Sequence, residues 1–139
     1  MIYLDTSVVV RVLAGEAQSL LHAAWLAEQG EGELWISQWT RTEAAGALAA
    51  KVRGGSLRRS RLPQALLDLG TGPWLVLAIE PDDYDLAAEW AGQEPLQLRG
   101  GDALHLAIAR RAGLQTATLD RGMASAGRLL GLAMADLPR

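Results

Sequence analysis

The sequence predicts an α/β fold with a parallel sheet covered by helices on both faces. Three observations carry this. Short apolar, β-prone runs alternate with stretches of helical period along the whole chain. The run Trp74 to Ile79 is apolar throughout, as in a strand packed on both faces. The 139 residues, 50% of them hydrophobic, contain no repeat, linker or low-complexity tract, so one domain over 1–139 with a single core is expected.

Ile2 to Leu4 reads as the first strand and ends on Asp5. Thr6 and Ser7 are cap residues for a short helix over Val8 to Ala14. Ala17 to Gln29 has Leu20, Leu21, Ala24 and Trp25 near helical spacing, and Gly30 and Gly32 close it. Leu34 to Ser37 is a second strand. The alanine-rich stretch Gln38 to Val52 is a helix stopped by Gly54-Gly55. Leu57 to Leu69 is another helix with Pro63 in its first turns, and Gly70 to Pro73 turns the chain into the strand Trp74 to Ile79. Pro81 to Trp90 starts on proline with acids in its first turn, a helix opening. Glu94 to Gly101 is a loop and Asp102 to Ala112 a helix with Leu104, Ala107 and Ile108 in phase. Gln115 to Leu119 is a fourth strand ending on Asp120, Arg121 to Leu130 a short helix, and Leu132 to Ala135 a short fifth strand.

Composition excludes several chemistries. Without cysteine there is no disulfide, thiolate zinc site or thiol nucleophile. Two histidines, His22 and His105, cannot build an all-histidine metal cage. No apolar run nears the roughly 18 residues of a membrane helix, and the N-terminus lacks the pattern of a signal peptide, so a cytoplasmic protein with no membrane partner is expected. The phosphate-binding glycine motifs G-x-x-x-x-G-K-[ST] and G-x-G-x-x-G are absent. After Asp5 the residue two along is Ser7, so the paired Asp-x-Asp of aspartyl-phosphate phosphatases is missing as well. The net charge is −3, but twelve of the thirteen basic residues are arginine, the better phosphate fork. Lys51 to Arg61 holds five basic residues and no acid, either a solvated surface or a face for phosphate or a partner.

Four acids stand out by position. Read singly, Asp5, Asp102 and Asp120 are each accounted for as a cap or turn residue. Glu43, set away from the apolar face of Ala44, Ala45, Leu48 and Val52, reads as solvated. Jointly they differ: Asp5 and Asp120 close strands, Asp102 opens a helix after Gly100-Gly101, and Glu43 lies near the start of a helix that follows a strand. In an open parallel sheet the ligand crevice lies outside the carboxyl ends of the strands, and all four fall at that edge. Carboxylates crowded there repel unless a cation neutralises them. An all-oxygen donor set selects a hard ion, Mg²⁺ or Mn²⁺, which serves in-line displacement at phosphorus. With those four charges cancelled, the rest of the chain is no longer net acidic and does not repel a polynucleotide.

The residues then resemble a family. Tyr3-Leu4-Asp5-Thr6-Ser7 is similar to the opening motif of PIN-domain proteins, Thr42-Glu43 to the second acid of that family, Arg99-Gly100-Gly101-Asp102-Ala103-Leu104-His105-Leu106-Ala107 to its most recognisable segment, and Thr118-Leu119-Asp120 to its closing T-x-D. Their order, spacing and the chain length resemble VapC-type toxins of bacterial toxin–antitoxin pairs. That resemblance implies a three-layer α/β/α fold with a central, mostly parallel sheet of about five strands. It implies an Mg²⁺- or Mn²⁺-dependent endoribonuclease with Asp5, Glu43, Asp102 and Asp120 as catalytic metal ligands, and Thr6, Ser7 and Thr118 as their small polar neighbours. It also implies a small antitoxin as partner and a homodimer. Arg121-Gly122-Met123-Ala124 lacks a fifth, peripheral ligand found in some relatives, which bears on a second metal. Arg11, Arg41 and Arg99, near the acid motifs, are the phosphate candidates for RNA. His105 reads as a half-buried helix residue, and Trp39 as packing or a dimer contact with base stacking as the alternative. The other tryptophans, Trp25, Trp35, Trp74 and Trp90, read as core. A PIN-type module that binds RNA or protein without cutting is the competing reading, and a nuclease acting on DNA a third.

Overall fold

In a computed structural model, described for residues 1–15 and 19–138, four short strands form one sheet. The strands are β1 (Ile2–Leu4), β2 (Leu34–Ser37), β3 (Leu75–Leu77) and β4 (Gln115–Ala117). They lie in the order β3-β2-β1-β4 and every pair is parallel. The helices are α1 (Thr6–Ala14), α2 (Ser19–Ala27), α3 (Gln38–Arg53), α4 (Leu62–Thr71), α5 (Pro81–Ala91), α6 (Gly100–Ala112) and α7 (Arg121–Leu129). Ala17 and Gln18, the predicted start of the second helix, lie outside the described residues.

The side-chain period of two along the strands makes the sheet the middle of three layers. Ile2 and Leu4 of β1, with Leu34 and Ile36 of β2, belong to an apolar cluster with α1, α2, α3 and α4. Tyr3 and Trp35, one residue out of phase, belong to a second cluster built by α5, α6 and α7. Trp74 and Trp90 are buried, while Trp25 and Trp35 pack half-buried against these clusters. Among the described residues no helix is long and apolar enough to cross a membrane.

Two sequence expectations change. The run Trp74 to Ile79 pairs only over Leu75–Leu77, and β3 is an edge strand, not one covered on both sides: Leu75 and Val76 are 47% and 43% exposed. An apolar run reports hydrophobicity but not which strands flank it, so it does not separate centre from edge. The expected short strand over Leu132 to Ala135 is reduced to a single bridge, Met134 beside Thr116, so among the described residues the sheet has four strands, close to the expected count of about five.

Strand order positions the site. From β1 the chain crosses to β2 and β3 on one side, and β4 lies on the other. The strand order therefore reverses between β1 and β4, where a crevice opens beyond the strand ends. Both carboxyl ends there are laced together. Asp5 N–H donates to the Ala117 carbonyl at 3.1 Å, and Leu119 N–H to Ser7 Oγ at 2.9 Å.

Candidate active site

Three helices and two strand ends wall an open cleft of about 660 Å³ at this edge. Each contributes through its own periodicity. Along α3, Trp39, Glu43, Ala47 and Lys51 recur every fourth residue and line the cleft. The stripe one residue on, Thr40, Ala44 and Leu48, is the buried face. From α1 come Thr6, Ser7, Val10 and Arg11, and from α6 come Gly101, Asp102 and His105. Asp5 and Asp120 enter from the ends of β1 and β4. All four acids singled out by sequence thus line one cleft, with Thr6, Ser7, Arg11 and Arg99. Thr118 reaches it through its bond to Asp5. Arg41 lines a separate hollow with Gln38, Thr42 and Leu66.

Asp5 is both a cap and a cleft residue. Its Oδ1 accepts from the Val8 amide at 3.2 Å and from the Ser7 hydroxyl at 2.6 Å, and its Oδ2 from the Thr118 hydroxyl at 2.7 Å. Burial pushes its carboxyl above the usual 3.8, and the hydrogen bonds offset this only in part. Asp120 likewise caps its helix, accepting from Met123 N–H at 2.9 Å, while its own amide donates to Thr118 Oγ1 at 3.0 Å. The reading of Asp102 as a cap is corrected: Arg99 is the cap residue of α6 and Asp102 stands two residues inside the helix. Its side chain is therefore released from capping and directed to the cleft. Burial raises its carboxyl, the Arg99 charge opposes that, and the nearby Asp120 charge raises it further. Arg99 spans both acids, with Nε 3.2 Å from Asp102 Oδ2 and Nη2 3.3 Å from Asp120 Oδ2.

Glu43 is not solvated as its helical phase suggested. Its Oε2 accepts from Thr6 Oγ1 at 2.7 Å and from His105 Nε2 at 2.7 Å. Burial alone would raise this carboxyl, but the bonds from His105 and Thr6 and the charges of His105 and Arg99 outweigh it and hold the carboxyl below the usual 4.5. Periodicity missed this because a wall of a polar cleft and a face in open water carry the same residue types.

His105 is only 2% exposed, more deeply buried than its sequence reading. Since the Glu43 carboxylate is an acceptor, Nε2 carries the shared proton. Its Nδ1 meets Tyr3 Oη at 2.7 Å, and Tyr3 Oη also meets Ser37 Oγ at 2.8 Å and Thr40 Oγ1 at 3.2 Å. Ser37 and Thr40 form the reciprocal cap of α3. A polar chain therefore runs through the core from the start of α3, by Tyr3 and His105, to Glu43. The sequence assigns no site role to Tyr3, Ser37 or Thr40; the S-x-x-T spacing at the start of α3 is the available signal. Tyr3→Phe should destabilise the protein by about 1–3 kcal/mol, because it strips a partner from buried polar groups; a urea unfolding curve measures this.

Gly101 sets how closely α6 approaches α3. A Cβ there would stand 3.0 Å from Glu43 Oε1 and 3.4 Å from the Trp39 ring. Trp39 packs against the second core cluster while lining the cleft. Gly101→Ala should keep the fold but displace Glu43, so nuclease activity should fall while thermal stability changes little. An activity assay beside a melting curve checks both.

The donor set is four carboxylates without sulfur, which suits a hard divalent cation. Among the described residues no three acidic or histidine side chains are already gathered as a metal cage. The geometry gives the reason: Glu43 is turned to His105 and Thr6, while Asp102 and Asp120 are turned to Arg99.

Comparison with known proteins agrees with this architecture. No curated protein sequence matches the chain. Solved structures do match: VapC20 of Mycobacterium tuberculosis, described as a sarcin-ricin loop cleaving toxin, superposes with a TM-score of 0.72 at 20% identity over 91% of this chain and 95% of that one. FitAcB of Neisseria gonorrhoeae gives 0.69 at 24% identity over 98% and 97%. VapBC2 of Rickettsia felis, bound to a DNA fragment from its promoter, gives 0.70 at 16% over 99% and 100%. At such identities the likeness is one of fold, and the fold is that of VapC toxins. The sequence profile of the PIN domain matches residues 2–129, nearly the whole chain, and its span takes in all four acids of the cleft. The chain belongs to the PIN domain family.

Proposed function

We propose that this protein is a divalent-metal-dependent endoribonuclease and the toxin of a toxin–antitoxin pair. The observation that carries this is the gathering of Asp5, Glu43, Asp102 and Asp120, distant in sequence, on the lining of one open cleft at the sheet edge. The cleft is open and polar, as suits a polymer, and it lacks the closed apolar pocket of a small-molecule enzyme.

Asp5 and Asp102 would hold Mg²⁺ or Mn²⁺ directly, and Asp120 and Glu43 would complete the set or act through water. The ion supplies Lewis acidity toward water and phosphate oxygens. The chain's own residues do the rest. Ser7 and Thr118 fix both Asp5 oxygens; Thr6 and His105 fix Glu43 Oε2 and leave Oε1 to the cleft. His105 is committed at both nitrogens and buried, so it positions Glu43 and does not serve as the base. The carboxylates orient the attacking water, whose oxygen bonds to phosphorus as the bond to the 3′ oxygen breaks. The products are a 5′-phosphate and a 3′-hydroxyl. Arg11 and Arg99, on the cleft wall, are the phosphate contacts.

Support for an antitoxin partner comes from structural relatives that are toxin–antitoxin assemblies, among them a VapBC-1 complex from nontypeable Haemophilus influenzae. A homodimer and a cytoplasmic site of action are part of the same proposal. One observation favours the alternative of a non-cutting PIN module: the Arg99 guanidinium already holds two of the four acids. The deciding experiment offers antitoxin-free protein RNA and DNA, with Mn²⁺, Mg²⁺ or a chelator, and sequences the ends produced. Cleavage of RNA only, with metal only and absent in Asp5→Asn, is the expected result. Binding without cleavage under every condition would establish the module instead.

A further inference from the structure

The cleft contains a guanidinium, that of Arg99, placed on two of its four acids. Arg99 is the cap residue of α6, with extended backbone (φ −73°, ψ 153°), so its stem starts at the cleft rim. Its side chain is 80% exposed, so packing does not hold it in place. What holds it are the two carboxylates, Asp102 at 3.2 Å and Asp120 at 3.3 Å.

These contacts are loose by the standards of the same molecule. Arg111 meets Asp83 at 2.7 and 2.9 Å, with that carboxylate 2% exposed. Charge-assisted N–H to carboxylate bonds ordinarily fall near 2.7–2.9 Å, and exposed pairs contribute about 0–1 kcal/mol each. The Arg99 bridge is thus a weak, wet contact. The oxygens it covers, Oδ2 of Asp102 and Oδ2 of Asp120, belong to the acids that a hard cation would use. Guanidinium and metal call on the same lone pairs, and a divalent ion brings twice the charge at a shorter distance, about 2.0–2.1 Å for Mg²⁺.

On these grounds, and resting on the metal-dependent reading above, we infer that Arg99 is an exchangeable counter-cation whose guanidinium bridges Asp102 and Asp120 in the metal-free protein and must leave them when a divalent ion binds. Arg99 thereby limits like-charge repulsion in the empty cleft and lowers apparent metal affinity. Its release also sets when it becomes free to meet a phosphate at the rim, so its role as an RNA contact begins only once metal has entered. The Arg99 bridge, with the hold of His105 and Thr6 on Glu43, then accounts for the lack of a preformed cage among the described residues.

The test is calorimetric titration of Mn²⁺ into the full chain in wild-type, Arg99→Gln, Arg99→Lys and Asp102→Asn forms, each checked for folding by circular dichroism. Arg99→Gln should bind Mn²⁺ about three- to tenfold more tightly than wild type, the size expected for two exposed ion pairs. Arg99→Lys, a point charge without the fork, should fall between them. Asp102→Asn should lose the high-affinity site. Equal or weaker binding in Arg99→Gln, with binding still lost in Asp102→Asn, overturns the counter-cation and leaves the metal-dependent reading standing. Binding by Arg99→Gln but not by wild type supports both. No uptake by either folded protein overturns both.

Discussion

Asp102→Asn should abolish metal-dependent RNA cleavage while the metal-free protein stays folded and becomes no less stable. Loss of a partner in the shell outside a metal site typically costs 10–100-fold, so removing a ligand should exceed about 100-fold. The stability half follows from electrostatics. Asp102 and Asp5 are raised above their ordinary value, by burial first of all. A carboxyl that is raised on folding stabilises the protein fully below its unfolded value, near 3.8, and loses that contribution as pH rises through its folded value. Folding therefore disfavours the charged form of both acids, and a neutral isostere at Asp102 removes that cost there. Glu43 has the opposite sign: its stabilising contribution is present above 4.5 and is lost as pH falls through its lowered value. Mn²⁺ should raise the melting temperature of wild type by mass action and leave Asp102→Asn unmoved. Thermal melts with and without Mn²⁺, run beside the cleavage assay, check all of this. A melting response that persists in the mutant would put the ion elsewhere.

The largest stability effect is expected far from the cleft. Asp83, in the first turn of α5, is 2% exposed and receives Nε and Nη2 of Arg111 from α6. The same Nη2 donates to the Ala78 carbonyl at 2.9 Å, and Asp83 Oδ2 accepts the Glu80 amide at 2.8 Å. One guanidinium thus clamps α5 and the segment before it to the helix that carries Asp102 and His105. Removing one partner of a buried pair strands the other charge and costs about 3–5 kcal/mol. Arg111 is 34% exposed, so water reaches one side and the lower end applies. Arg111→Ala should therefore destabilise by about 3 kcal/mol, roughly 10 °C in melting temperature for a chain of this size. Adding Asp83→Asn should recover part of the loss, since a neutral amide still caps α5 and no longer leaves a buried charge. If the double variant melts no higher than Arg111→Ala, the clamp acts by packing and not by charge.

The amino-acid sequence alone determined the elements and the acids. Alternating runs placed β1, β2 and most helices, and Asp5, Glu43, Asp102 and Asp120 were legible as acids at one sheet edge because that edge follows from strand and helix order. Tertiary structure alone decided what each acid touches. Trp74 to Ile79 reads like a strand covered on both faces yet leaves Leu75 and Val76 exposed at the sheet edge, since hydrophobicity does not encode neighbours. Glu43 reads as solvated yet is gripped by Thr6 and His105, because helical phase gives direction around an axis and not what stands opposite. Tyr3 reads as part of a short β-prone strand, and only the packing of α3 and α6 across β1 makes its hydroxyl the junction of a buried polar chain. Local periodicity fixes where a side chain points; the partner it meets comes from a segment as many as 113 residues away, as Thr118 does for Asp5.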